Sequence, residues 1–236
     1  MKSIHVPAVV ACLVSLVACE KSAPPPPPPA AAPAAPAASA ALLSPDTAKL
    51  NAAGPDSFVV TFTTSKGAFD VMVHRAWSPR GADRVHYLAS NGFFEGVRFY
   101  RVISGFMAQF GAKGVPAVDA AWNNLRLLDD AVKHSNTRGT LTFATSGPNS
   151  RTTQLFINFG NNANLDGMGF SPLGQVKGNG MKVVDSLFAG YGEGAPGGQG
   201  PDQGRIGSEG NAYLARDFSK LDSIVTAKVG AEWKKP

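Results

Sequence analysis

Few side chains in this 236-residue chain are arranged to do chemistry. One stretch stands out: Phe99-Tyr100-Arg101-Val102-Ile103-Ser104-Gly105-Phe106-Met107-Ala108-Gln109. An arginine alternates there with apolar residues, and an aromatic, a methionine and a glutamine follow at close range. Such an arginine offers hydrogen-bond donors and a fixed charge, not a nucleophile. Taken alone, the stretch reads as strand, turn and core, with Arg101 on a solvent face. Other chemistries have weaker footing. There is no G-x-S-x-G elbow and no S-x-x-K, so serine acyl transfer lacks support. His74, His86 and His134 lack metal-ligand spacing, and no metal or other cofactor is implied. Gly192-Glu193-Gly194-Ala195-Pro196-Gly197 spells G-x-G-x-x-G, but it follows a helix and runs into more glycine. A dinucleotide site needs that motif between a strand and a helix. Asp129-Asp130 reads as a solvated turn or a helix-capping pair.

The elements that must position these residues are mostly strands. Phe58, Val60 and Phe62 alternate with Val59, Thr61 and Thr63, a period of two. Ser65-Lys66-Gly67 signals a turn, and Phe69, Val71 and Val73 resume the alternation, predicting an antiparallel hairpin. Ser78-Pro79 predicts a helix start, with Ala82, Val85, Leu88 and Ala89 at helical spacing and Gly92 as the stop. Further strands are expected over Val97–Ile103, Thr140–Thr145, Thr153–Phe159, Leu173–Lys177 and Ser223–Val229. A second short helix is expected over Met181–Ala189. Many strands and two helices argue for an all-β barrel or sandwich. Gly111–Asp130 reads as irregular, and Gly190–Gly210, with nine glycines, as a long loop.

The first fifty-odd residues differ from the rest. A basic start is followed by an uncharged Ile4–Ala18 run, too short to span a bilayer and of the right length for a secretory leader over residues 1–18. Leu16-Val17-Ala18-Cys19 resembles the bacterial lipoprotein box, which implies lipidation of Cys19 and export to the cell envelope. Both cysteines, Cys12 and Cys19, lie in this segment, so a disulfide cannot hold the rest. Ser22–Ala41 carries eight Pro and ten Ala. It cannot form a core, and predicts a spacer reaching roughly 60 Å at about 3.1 Å per residue. The expected division is therefore residues 1–18 as leader, 19–55 as lipidated terminus and linker, and 56–236 as one domain. The formal charge of +5 is scattered along the chain. That is poor evidence for nucleic-acid binding and compatible with weak attraction to anionic headgroups.

Two more stretches complete the pattern: Phe143-Ala144-Thr145-Ser146-Gly147-Pro148-Asn149 with Thr153-Gln154-Leu155-Phe156-Ile157, and Asn164-Leu165-Asp166-Gly167 ahead of Pro172-Leu173-Gly174. In this order and spacing, the three resemble the cyclophilin family over roughly Phe58 to Val229. The resemblance implies a closed eight-stranded antiparallel β-barrel capped by two helices, and prolyl cis/trans isomerase activity. Turning an X–Pro bond means crossing a barrier of about 18–20 kcal/mol. A donor that bonds the prolyl nitrogen only in the twisted state lowers that barrier, about tenfold in rate per 1.36 kcal/mol. By resemblance Arg101 is that donor. Phe106, Met107, Phe156 and Leu165 would hold the proline ring, and Gln109 would orient Arg101. Ala144, Thr145 (through its backbone) and Gln154 would line the groove, with Phe170 where the family's groove histidine usually stands.

Some positions depart from the family pattern. Tyr100 replaces a usual His, Ser104 a frequent Pro, Phe110 a Gly and Ala112 an Asp. Asn164 stands at the tryptophan position associated with cyclosporin binding, which implies weak affinity for that drug. Gly190–Gly210 is an extra excursion. The expected partners are proline-containing polypeptides of the envelope and, through the lipid, a membrane; a monomer is expected. The competing reading is a non-catalytic module that binds proline peptides as a chaperone or adaptor.

Overall fold

In the computed structural model, residues 40–50 and 52–234 are described. The predicted leader and Cys19 lie outside them, as does most of the proline-rich spacer.

The opening hairpin forms where alternation predicts it, with β1 at Ser57–Thr64 and β2 at Gly67–His74. Its register sets Phe58 against Val73, Val60 against Val71 and Phe62 against Phe69. All six are buried in the main core, since residues opposite one another in an antiparallel pair share a face. Gly67 turns the chain at φ +122°, a region glycine reaches without penalty.

The other strands are β3 (Arg101–Ile103), β4 (Met107–Phe110), β5 (Thr140–Phe143), β6 (Leu155–Asn158), β7 (Pro172–Val176) and β8 (Ile224–Trp233). They form one antiparallel sheet in the order β3-β4-β6-β5-β7-β2-β1-β8. β4 was not among the strands expected from the sequence: its residues follow the Gly105 turn (φ +74°) directly, too short a run for a period to show.

The expected closed barrel is corrected to an open, curled half-barrel. β3 and β8 end the order and share no ladder. β3 is three residues long, and the chain just before it touches the start of β8 through a lone Arg98–Ser223 bridge. Backbone bonds between Phe99 N and Asp222 O (3.0 Å) and Ile224 N and Val97 O (2.8 Å) tack the seam locally.

The expectation of two helices also needs correction. The predicted pair are α3 (Pro79–Ser90) and the shorter α5 (Met181–Val184). Asp130 caps α3, accepting from Gly81 N at 3.0 Å and Ser78 Oγ at 2.6 Å. Two short helices, α1 (Ala40–Leu43) and α2 (Thr47–Leu50), occupy residues expected to be linker. Leu42 and Leu50 are buried in the core, and Leu42 O accepts from Trp122 Nε1 at 3.0 Å. Apolar residues just past the Pro/Ala run thus seal the half-barrel, and the folded unit starts before residue 56.

α4 (Pro116–Asn123) organises the stretch read as irregular. α6 (Gln203–Asp217) replaces the second half of the predicted Gly-rich loop. Asp202 starts it by accepting from Arg205 N at 2.8 Å. Of its glycines, Gly210 leaves helical geometry, at φ +66° and ψ −151°. The glycine count hid an amphipathic face: Ile206, Tyr213 and Leu214 form a second small core with Tyr100 and Leu221.

Candidate active-site groove

The period of two divides the β3–β4–β6 surface. Val102, Ala108, Phe110, Leu155 and Ile157 point into the main core. On the other face the register aligns Arg101 with Gln109, and Gln109 with Phe156, so three strands bring these side chains into one row. Met107 lies two residues from Gln109 on the same face. Outside the half-barrel, Met107, Phe156 and Leu165 make a separate apolar cluster, with Ile103, Phe106, Ala144 and Phe170 packed against it.

This outer face is the floor of a groove of about 710 Å³. All ten residues predicted for the site line it: Arg101, Phe106, Met107, Gln109, Ala144, Thr145, Gln154, Phe156, Leu165 and Phe170. Leu165 is delivered by a short 3₁₀ helix, Ala163–Met168. Asp166 anchors that turn by accepting from Asn136 N at 2.9 Å and Ser135 Oγ at 2.5 Å. Phe170 meets Phe156 edge to face at 5.7 Å, an arrangement aromatic pairs favour. The Thr145 hydroxyl is engaged by Gly147 O and by Ser150 Oγ (2.8 Å). Asn123, Arg126, Ser150, Thr152 and Gln203 extend the wall and were not predicted. They come from α4, α6 and loops whose fold carried no sequence pattern.

A hydrogen-bond relay supports the polar edge. Arg101 Nη1 donates to Gln109 Oε1 at 3.0 Å. Gln109 Nε2 donates to Gln154 Oε1 at 3.1 Å, and Tyr100 OH donates to the same oxygen at 2.8 Å. Each amide is thereby oriented by its neighbour. Tyr100 is 1 % exposed, and burial holds its hydroxyl proton far above the ordinary phenol range. It therefore remains a donor at any working pH.

Glu193, outside the groove lining, was also missed by sequence reasoning. A bridge between Gly192 and Val102 lays the Gly-rich segment beside β3. Glu193 then grips Arg101 side-on, Nε to Oε1 at 2.5 Å and Nη2 to Oε2 at 2.6 Å. The Arg101 guanidinium pulls the Glu193 carboxyl below the usual carboxylate range. The two residues are 92 positions apart, so no local pattern could pair them.

The structure is thus an open β half-barrel with an arginine beside an apolar pocket in a groove on its outer face. The model for the cyclophilin type peptidyl-prolyl cis-trans isomerase family matches residues 59–200. The peptidyl-prolyl cis-trans isomerase of Acinetobacter baylyi is 33 % identical over 143 residues, 55 % of this chain and 71 % of that protein. Peptidyl-prolyl cis-trans isomerase A of Dickeya dadantii is 34 % identical over 149 residues, 57 % of this chain and 73 % of that one. A crystal structure of a Cryptosporidium parvum cyclophilin type peptidyl-prolyl cis-trans isomerase superposes with a TM-score of 0.56 at 16 % identity. It covers 75 % of this chain and 99 % of its own. The same protein solved in the presence of the dipeptide Ala-Pro gives 0.54 over 74 % of this chain. This chain belongs to the cyclophilin-type peptidyl-prolyl cis-trans isomerase family. The family match ends at residue 200, and α6 lies beyond it.

Proposed function

We propose that this isomerase turns X–Pro bonds in exported or envelope polypeptides, with Arg101 as its catalytic donor and a lipid on Cys19 as its anchor. The observation that carries the reading of the site is the geometry of Arg101. Its guanidinium stands at the edge of the pocket formed by Phe106, Met107, Phe156 and Leu165, in the same groove. An apolar pocket there suits a proline ring. Of the five guanidinium N–H groups, three are taken by Glu193 and Gln109 and a fourth, on Nη1, makes a long contact with Met107 Sδ at 3.9 Å. The fifth, on Nη2, is free to meet the prolyl nitrogen or its carbonyl as resonance is lost. That contact strengthens as the bond twists, which makes it a rate effect rather than a uniform gain in binding. The Ala-Pro dipeptide used with the Cryptosporidium parvum relative supports proline-containing peptides as the substrate class.

The test is NMR exchange spectroscopy of a short X–Pro peptide with the purified protein and with Arg101→Ala. The wild type should accelerate exchange, and the variant should lose about tenfold or more. Peptide binding without acceleration would move the function to a proline-peptide-binding module. The anchor is tested separately, by incorporation of a labelled fatty acid into the wild type and its absence in Cys19→Ser.

A further inference from the structure

We infer that Glu193, on the glycine-rich excursion ahead of α6, is a positioning residue that sets the plane of the Arg101 guanidinium for turnover. The inference rests on the reading of Arg101 as the catalytic donor.

An arginine side chain on a three-residue edge strand has four rotatable bonds and a groove in front of it. Left alone, its fork would sample several planes. Glu193 removes that freedom with a two-point contact on the Nε/Nη2 edge, the geometry in which a carboxylate best matches a guanidinium. Gln109 fixes Nη1 from the other side at 3.0 Å. With both in place the fork is held in one plane; the second Nη1 hydrogen meets only Met107 Sδ at 3.9 Å, and the free N–H lies on Nη2.

The carboxylate is itself held. Gly194 N donates to Glu193 Oε1 at 2.9 Å, and Gly200 N donates to Glu193 O at 2.8 Å. Glycine is needed around it: a Cβ on Gly198 would lie 2.4 Å from Glu193 O, and one on Gly200 would lie 2.8 Å away. The excursion is therefore a tight cradle for this one residue. Glu193 does not line the groove, so its route to substrate runs through Arg101.

Because the contact is a matter of orientation, its loss should appear in kcat and leave KM nearly alone. The experiment measures both for the full chain and for Glu193→Ala, Glu193→Gln, Arg101→Ala and the Arg101→Ala/Glu193→Ala double variant. Expected is a fall in kcat of about tenfold in Glu193→Ala, with about threefold in Glu193→Gln, which keeps one acceptor. KM should stay within about twofold in both. The double variant should be no slower than Arg101→Ala, because two residues that act as a unit are not additive. Glu193→Ala turning over at the wild-type rate or faster, while Arg101→Ala collapses, overturns this inference alone. An Arg101→Ala enzyme with wild-type turnover overturns the reading of Arg101, and this inference with it. A double variant slower than Arg101→Ala overturns it too, by giving Glu193 a role independent of Arg101.

Discussion

Two regions meet at Arg101 and are built on different principles. The groove face of β3, β4 and β6 is set by ladder register: Arg101, Gln109 and Phe156 align because their strands pair that way. Its apolar members are nearly sealed, with Met107 2 %, Phe156 4 % and Leu165 6 % exposed. The segment from Gly190 to Asp217 has no ladder with the sheet. It reaches the site by the Glu193 carboxylate, by its own small core around Tyr100 and, at the rim, by Gln203. The sheet therefore fixes where substrate can sit, and the excursion fixes how the polar edge is aimed. Damage to the first should weaken substrate binding, and damage to the second should slow turnover.

Phe156→Ala tests the first half of this division and should have the largest effect. It removes the pocket floor and the edge-to-face partner of Phe170. A fall in kcat/KM of about 30-fold or more is expected, carried mainly by KM, together with about 3 kcal/mol of stability. Steady-state kinetics and urea unfolding measure the two. A loss confined to kcat would erase the distinction between the regions.

Gly210→Ala acts on the second region through the backbone. At φ +66° and ψ −151° only glycine is comfortable, and a Cβ would lie 2.5 Å from Gly114 O. The neighbouring bond, Asn211 N to Gly114 O at 2.7 Å, docks α6 against the loop ahead of α4. The substitution should cost about 1–3 kcal/mol. Turnover should fall a few-fold with KM unchanged, because Tyr100 loses part of its packing. Tyr100→Phe is milder. It keeps the packing and deletes the hydroxyl that donates to Gln154, worth about 1 kcal/mol. Its kcat should fall by roughly threefold.

The two regions also differ in how far the sequence disclosed them. The groove residues were legible through the family resemblance, which three stretches in fixed order and spacing carry; the period of two gave only the strands that hold them. Every one of the predicted lining residues is in the groove. α6 was hidden because its glycines look like loop, although Asp202, Ile206, Tyr213 and Leu214 carry a helix start and an apolar face. α1 and α2 were hidden behind the proline-rich run, since two buried leucines are too few to show a period. The Arg101–Glu193 pair is a contact of tertiary structure alone. The closed barrel came from the family resemblance and not from alternation, which gives the strands but not whether the end strands pair.

Acid acts with opposite sign on the Arg101 clamp and on the α4 corner. Glu193 has a folded-state pKa depressed first by its bond to Arg101. Its clamp is therefore complete above the ordinary carboxylate range and is lost as pH falls through the lowered value. Asp119, buried in the first turn of α4, is shifted the other way, up to about 6, by burial. A raised carboxyl pKa favours the folded state below the unfolded value, and that contribution is lost as pH rises towards 6. Mild acid thus strengthens the α4 corner while the clamp on Arg101 is still intact. Turnover should be level from neutral pH down to the carboxylate range and then fall by about threefold, the loss assigned to Glu193→Gln. The ratio of wild-type to Glu193→Gln turnover should approach one in acid, with circular dichroism unchanged. A ratio that stays constant across the whole range would mean that ionisation of Glu193 does not matter to the donor it grips.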